Sequence, residues 1–303
     1  MNRLLPAVLA SAMLAMLSPV ATATACPEPQ IYGEGVFSRP GYEWRLTFSP
    51  DRRLALWSTS DTFFPVTGEA PKFVYSRYRN GAWSAPQVVP FSGFYADVDP
   101  AFSPDGKTLY FSSRRPTSNS SGIHPDFDLW SVAHRRDGSW GTPRHLGQVN
   151  SSSDELYASI DRNGRLYFGS NRDAAQWDVW RSTRQRNGGF GAASKLGTGV
   201  NTPTFWEFNP EISPSGKVLL FTALSQPGDY GWGDLHASVV VGNYQSPAVN
   251  LGECINTSQD DYHPTALWDQ GRLIWIHASV DDASVPANFY SLSISELIEA
   301  LED

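Results

Sequence analysis

Basic residues are scarce in this chain. Twenty-three Lys and Arg stand against 31 Asp and Glu in 303 residues, a formal net charge of −8. Neutralising phosphates takes clustered Lys and Arg, so this balance excludes a nucleic-acid binder. Metal-site patterns are missing as well. His124, His134, His145, His236, His263 and His277 show none of the close spacings of a zinc site. No Gly-x-Ser-x-Gly elbow and no phosphate-cradling glycine loop is found. After the first 25 residues, no apolar run reaches membrane-spanning length. Cysteine occurs only as Cys26 and Cys254.

Residues 1–25 read as a signal peptide. Arg3 precedes an apolar core, Leu4–Leu17, and Ala23-Thr24-Ala25 supplies the small-x-small pattern that a signal peptidase cuts. Residues 26–303 are then expected to form a single exported domain, periplasmic or secreted. Export permits a disulfide between Cys26 and Cys254. The alternative is lipoprotein anchoring through Cys26, which falls directly after the cleavage site. Against it, Ala23 stands where lipoprotein signals carry Leu or Val.

What the chain has in abundance is one short unit, repeated. Asp99–Ser113 reads DPAFSPDGKTLYFSS, two apolar runs joined by Ser-Pro-Asp-Gly, a β-hairpin signature. It recurs at Ser159–Ser170, Glu211–Ala223 and Thr265–His277, and in worn form at Leu46–Ser60, where Arg52 replaces the turn glycine. The turn glycines Gly106, Gly164, Gly216 and Gly271 follow a period of about 55 residues, the size of a propeller blade. A third strand follows as Asp128–Ser131, Asp178–Arg181 and Asp234–Ala237, then an aromatic (Trp83, Trp140, Phe190, Tyr244) that reads as a packing anchor.

The fold class is therefore all-β: a single five-bladed β-propeller with blades starting near residues 43, 97, 155, 207 and 261. The last repeat stops after its third strand, and Ile31–Ser38 resembles an orphan fourth strand that would close the ring. Six blades are the alternative, if Ile31–Tyr42 hides a degenerate unit. Residues 294–302 carry the apolar spacing and capping box of a short terminal helix.

Two sets of residues on the first strands are candidates for function. An acid opens each strand: Glu43, Asp97, Glu155, Glu207 and Asp261. Recurrence of one residue type in every blade points to a structural task, capping a turn or accepting hydrogen bonds. If the chain is an enzyme, Asp97, Glu155 and Glu207 are the catalytic candidates. Two positions on, the residue changes from blade to blade: Arg45, Asp99, Tyr157, Asn209 and His263. These side chains are expected to gather at one mouth of the channel as a ligand-binding set, together with Trp44 and Trp206. The loop Gln226–Gly233, rich in glycine and aromatics, is a candidate recognition loop. His124 with Asp126 and Asp128 could hold a cation, but Asp128 recurs as Asp178 and Asp234, which suits strand geometry better. No metal and no cofactor are expected, a structural cation in the channel being the one exception left open.

The SPDGKTLYFSS core, the Asp-Leu-Trp third strand, and GSWGTPRHLGQVN followed by Asp154-Glu155 resemble the TolB-like, WD-type propeller repeats of bacterial envelope proteins. The resemblance covers almost all of Glu34–Leu292. It implies a platform that binds an envelope protein or a glycan, as a monomer without nucleic acid or a transmembrane segment. Neither the peptidase or peptidoglycan-binding domain sometimes fused to such repeats nor the additional N-terminal α/β domain of the family's namesake is expected in a chain of this length. Two other functions stay open: a glycoside hydrolase-like enzyme using axial carboxylates, and a structural envelope protein without a saturable ligand.

Overall fold

A computed structural model describes residues 26–62, 70–117, 122–173, 176–278, 287–295, 297 and 299. The expected signal peptide lies outside the described residues. Five antiparallel sheets are arranged as five propeller blades. Their innermost strands are Tyr42–Phe48, Asp97–Phe102, Glu155–Ile160, Glu207–Ile212 and Asp260–Leu267. Each pairs with a second strand, and each second strand with a third.

The Ser-Pro-Asp-Gly hairpins form as their chemistry dictates. The Gly106 N–H donates to the Ser103 carbonyl at 2.8 Å, and Gly106 adopts φ +68°. Arg52 makes the equivalent bond to Ser49 at 2.8 Å and is held at φ +57°, a left-handed conformation that a Cβ disfavours.

No blade buries its faces alone. Leu54, Leu56 and Phe73 of blade 1 pack against Leu109, Phe111 and Trp130 of blade 2. Blade 2 meets blade 3 through Tyr110, Leu129, Leu166 and Phe168, and blade 3 meets blade 4 through Tyr167, Val179, Leu219 and Phe221. Val218 and Leu220 pack on Leu273 and Trp275, and Trp44 and Trp57 on Ile274 and Phe289. Every interface holds at least one apolar cluster, and blades 2 and 3 share a second through Val98, Phe127 and Leu156, so stability is a property of the ring.

Fourth strands are only two residues long, for example Arg144–His145 on Asp128–Ala133. Asparagine side chains extend the pairing. Asn150 accepts from Leu129 N–H and donates to its carbonyl, and Asn201 and Asn256 do the same for Val179 and Leu235. The aromatic that follows the third strand is buried or packed as Trp83, Trp140 and Phe190. Tyr244 departs from the expectation and is exposed.

The N-terminal segment closes the ring, but over fewer residues than Ile31–Ser38. Only Gln30–Ile31 pairs with the last strand, opposite Ser291 and Tyr290. Gly33–Ser38 instead forms a tight turn that drives Phe37 into the core, edge-on to Trp57 at 5.3 Å. This turn leaves no place for a sixth blade. Cys26 and Cys254 form a disulfide that fastens the segment to the connection between blades 4 and 5, and a sulfur so engaged cannot carry a thioether lipid. Of the expected terminal helix, Ser295, Leu297 and Glu299 are helical; the alternate positions and residues 301–303 lie outside the described residues. Among the described residues, no helix is long and apolar enough to cross a membrane.

Candidate functional site

Every innermost strand is interrupted at the same place. Its register with the second strand shifts between Trp44 and Thr47, Val98 and Ala101, Leu156 and Ser159, Phe208 and Glu211, and Tyr262 and Thr265. The residue in each bulge is Arg45, Asp99, Tyr157, Asn209 or His263, and all five have positive φ, from 25° to 63°. Only eight non-glycine residues among those described do so, so the five bulges account for most of this strain. A bulge re-aims a side chain, and here it turns one from each blade toward the axis.

The five meet. Arg45 Nη2 reaches Glu211 Oε2 at 2.6 Å, and both its terminal nitrogens lie 3.2 Å from the Pro210 carbonyl. His263 Nδ1 lies 3.3 Å from Asp99 Oδ1 and 3.3 Å from Asn209 Nδ2. Asn209 Oδ1 accepts from Thr222 Oγ1 at 3.2 Å and from the His263 N–H at 3.3 Å. The rings of Trp44 and Tyr157 stand edge-on to His263, at 5.6 and 5.5 Å. Burial pushes the Asp99 carboxyl up to about 7, opposed by the Arg45 guanidinium. Burial and the same guanidinium push His263 down to about 3, so its imidazole is neutral at physiological pH.

The set does not gather at one mouth, as the sequence suggests, but divides between two. Arg45 and Glu211 line a cavity of about 510 Å³ on the hairpin side, walled by the Ser-Pro turns and by Arg52, Arg162 and Asp269. Asp99, Tyr157 and His263 line the opposite cavity, of about 340 Å³, and Asn209 lines neither. The two cavities share no lining residue, because the bulged side chains fill the axis between them.

The second cavity is largely aromatic. Trp44, Trp177, Trp206, Trp232, Tyr157, Phe208 and Tyr262 are seven of its fifteen lining residues. Trp206 and Trp232 are 41% and 48% exposed at the rim. Trp44 is buried, and its indole N–H donates to Ser60 Oγ at 2.8 Å. Gly233 leaves room for this wall, since a Cβ there would lie 2.3 Å from the Tyr262 ring. Besides the rings, four polar side chains line the cavity: Asp99, His263, Asp154 and Asn171. Trp232 lies in the Gln226–Gly233 loop singled out from the sequence. Trp177 was not anticipated; the clue was an aromatic just before the third-strand aspartate, shared with Phe127.

The strand-opening acids line neither cavity. Asp97 accepts from Ser92 Oγ at 2.7 Å, Ser113 Oγ at 2.6 Å and Arg115 Nη2 at 2.6 Å. Glu155 accepts from Ser151 N–H and Oγ and from Ser170 Oγ, with Arg172 Nη2 at 2.9 Å. Glu207 accepts from Thr202 N–H and Oγ1 and from Gln226 Nε2. Asp261 accepts from Thr257 N–H and Trp275 Nε1. Each of these four acids clamps the connection entering its blade to the blade itself. Glu43 is buried with fewer partners, and burial pushes its carboxyl up to about 8.

Among the described residues, no group of three or more His, Cys, Asp or Glu is arranged to hold a metal ion. His124 Nδ1 lies 2.8 Å from Asp126 Oδ1 and 3.4 Å from Asp128 Oδ2, and His145 Nε2 reaches the same Asp128 oxygen at 3.0 Å.

No protein-family pattern matches the sequence, and no curated protein matches it either. Solved structures resemble it in fold alone. A protein of Agrobacterium tumefaciens assigned as TolB is 14% identical, with a TM-score of 0.55 over 85% of this chain and 79% of that one. TolB from Acinetobacter baumannii is 12% identical, TM-score 0.52, over 84% of this chain and 52% of that one. An alpha-L-arabinofuranosidase from Lactobacillus brevis is 11% identical, TM-score 0.54, over 84% and 92%.

Proposed function

We propose that this chain is an exported binding module of the bacterial envelope whose ligand occupies the aromatic mouth. The observation that carries this reading is the cavity of about 340 Å³, open at a rim of exposed Trp206 and Trp232 and closed below by the axial side chains. A concave, mostly aromatic site with a few convergent polar groups is how proteins hold a small ligand or a protruding side chain. The small-x-small leader and the Cys26–Cys254 disulfide support an oxidising, extracytoplasmic setting.

The glycosidase alternative draws less support. Asp97, Glu155 and Glu207 are spent on clamping blade entries and line neither cavity. Acid–base hydrolysis needs two carboxyl groups flanking one bond.

The test is a screen of glycans, envelope proteins and small molecules against the mature chain, read by tryptophan fluorescence and calorimetry. A saturable ligand whose binding weakens at least tenfold in Trp206→Ala and Trp232→Ala supports the proposal. The same affinity in both variants places the ligand elsewhere, and the absence of any saturable ligand returns the structural-protein reading.

A further inference from the structure

The aromatic mouth differs from the hairpin-side mouth in the sign of its charge. Three arginines, Arg45, Arg52 and Arg162, outnumber the acids Glu211 and Asp269 in the hairpin-side cavity, whereas no Lys or Arg lines the aromatic one. Its charged groups are both acidic, Asp99 and Asp154. Asp154 is engaged, since its Oδ1 accepts from Phe127 N–H at 2.9 Å. Asp99 is not. It lines the cavity at 2% exposure, and its buried Oδ1 accepts no hydrogen bond. His263 stands beside it at 3.3 Å but is neutral, and the nearby Arg45 is already paired with Glu211. Burial holds this carboxyl at about 7, and its ionised form, which prevails above that pH, lacks a partner.

The indoles above it suit the same partner. Trp faces attract cations through the ring quadrupole, most strongly when desolvated, and cages of several rings over an acid select quaternary and alkylated ammonium groups. A sugar would need hydrogen bonds for most of its hydroxyls, and besides the two acids the lining offers Asn171, His263, two tyrosine hydroxyls and the indole N–H groups within a mostly apolar wall.

We infer that the aromatic mouth binds a small organic ammonium compound, its cationic head seated among Trp44, Trp177 and Trp232 above the Asp99 carboxylate. This rests on the proposal that the mouth is the binding site and specifies the chemical class of its ligand.

The test compares isosteres that differ only in charge. Choline and its neutral carbon analogue 3,3-dimethyl-1-butanol are titrated against the mature chain, followed by Nα-acetyl-lysine methylamide and its norleucine counterpart. Choline is expected to bind at least tenfold tighter than the neutral analogue, with a change in tryptophan fluorescence. In Asp99→Asn that preference falls below threefold; Asn tolerates the left-handed backbone that Asp99 adopts, so the fold is retained. In Trp232→Ala, at the exposed rim, choline affinity falls at least fivefold.

Equal binding of both analogues overturns the charge selection while leaving the mouth as a binding site. Choline binding unchanged in Trp232→Ala overturns the placement. Binding confined to the lysine amide overturns the small-molecule assignment in favour of a protein partner. Failure of every ammonium probe, with a glycan binding in a Trp232-dependent way, overturns the inference and keeps the mouth. Failure of all ligands at the mouth removes both proposals.

Discussion

His263 Nδ1 and Asp99 Oδ1 stand 3.3 Å apart on the propeller axis, brought there from blades 5 and 2. Burial shifts the two groups in opposite senses, so their effects on stability oppose one another. The Asp99 carboxyl titrates at about 7 in the fold against 3.8 ordinarily, so the folded chain retains a proton that the unfolded chain has released. That contribution falls as pH rises from about 4 to 7. His263 titrates at about 3 against 6.5, so the unfolded chain binds a proton that the fold refuses. That contribution rises with pH over about 3 to 6.5 and is complete above it.

Removing either partner should expose the other's slope. Relative to the parent, Asp99→Asn should gain stability as pH rises from 4 to 7, and His263→Asn should lose it from 3 to 6.5. Each slope is at most about 1.4 kcal/mol per pH unit. Urea midpoints at pH 4, 5.5 and 7 check this, and parallel curves for parent and variants would refute the opposed shifts that burial imposes on the two groups.

The blade count, the hairpin turns and the recurrence of the strand-opening acids were all legible, because each rests on local chemistry repeated at a fixed period. Ser103-Pro104-Asp105-Gly106 specifies its turn within four residues. The bulges were half legible. Asp99, Asn209 and His263 are residue types that tolerate positive φ, whereas Arg45 and Tyr157 give no such sign. Simple alternation along the strand placed all five at one mouth. A bulge breaks that alternation, so the side chains fan along the axis, with Arg45 falling to the opposite cavity beside Glu211. Trp177 reaches the mouth from a third strand, and only the ring geometry brings third-strand starts to the site.

The worn hairpin offers a comparison of two substitutions. Arg52 holds φ +57° where the other blades place glycine, at a cost of about 1–2 kcal/mol. Its guanidinium pairs with Asp269 and lies over Phe48 at 5.7 Å, but the pair is exposed and contributes at most about 1 kcal/mol. Arg52→Gly should therefore leave stability unchanged or raise it by up to about 1 kcal/mol. Gly106→Ala should lower it by more than 1 kcal/mol, because φ is +68° and the new Cβ would lie 2.6 Å from Pro50 Cδ. Equal losses in both variants, by thermal melts, would contradict the equivalence of the two turns.

The clamping role of the strand-opening acids separates stability from binding. Glu155 is fully buried, and Arg172 and two serines depend on it. Glu155→Gln removes the charge and leaves Arg172 short of its partner, so a loss of about 2–4 kcal/mol is expected. Asp97→Asn should behave alike through Arg115. At a temperature where both variants remain folded, affinity at the aromatic mouth should match the parent within about twofold. A variant of full stability that has lost binding or turnover would reverse this assignment and revive the carboxylate-enzyme reading.

Closure of the ring depends on few residues, which makes it the most sensitive point of the fold. The two-residue strand Gln30–Ile31 cannot hold the first and last blades together by its own ladder. Two further devices assist it. Phe37 is 1% exposed among Phe48, Trp57 and Trp83, so Phe37→Ala should cost about 3–5 kcal/mol. The Cys26–Cys254 disulfide spans 228 residues, a loop long enough that cross-linking restricts the unfolded chain by about 5 kcal/mol in the chain-entropy account. Reduction, or Cys254→Ser, should therefore lower the melting temperature. It should also raise hydrogen exchange first at the last strand, Asn288–Ser293, before the core of blades 2 and 3. Exchange that rises uniformly would mean that the ring opens as one unit; an unchanged melting temperature would mean that Phe37 and its turn close the ring unaided.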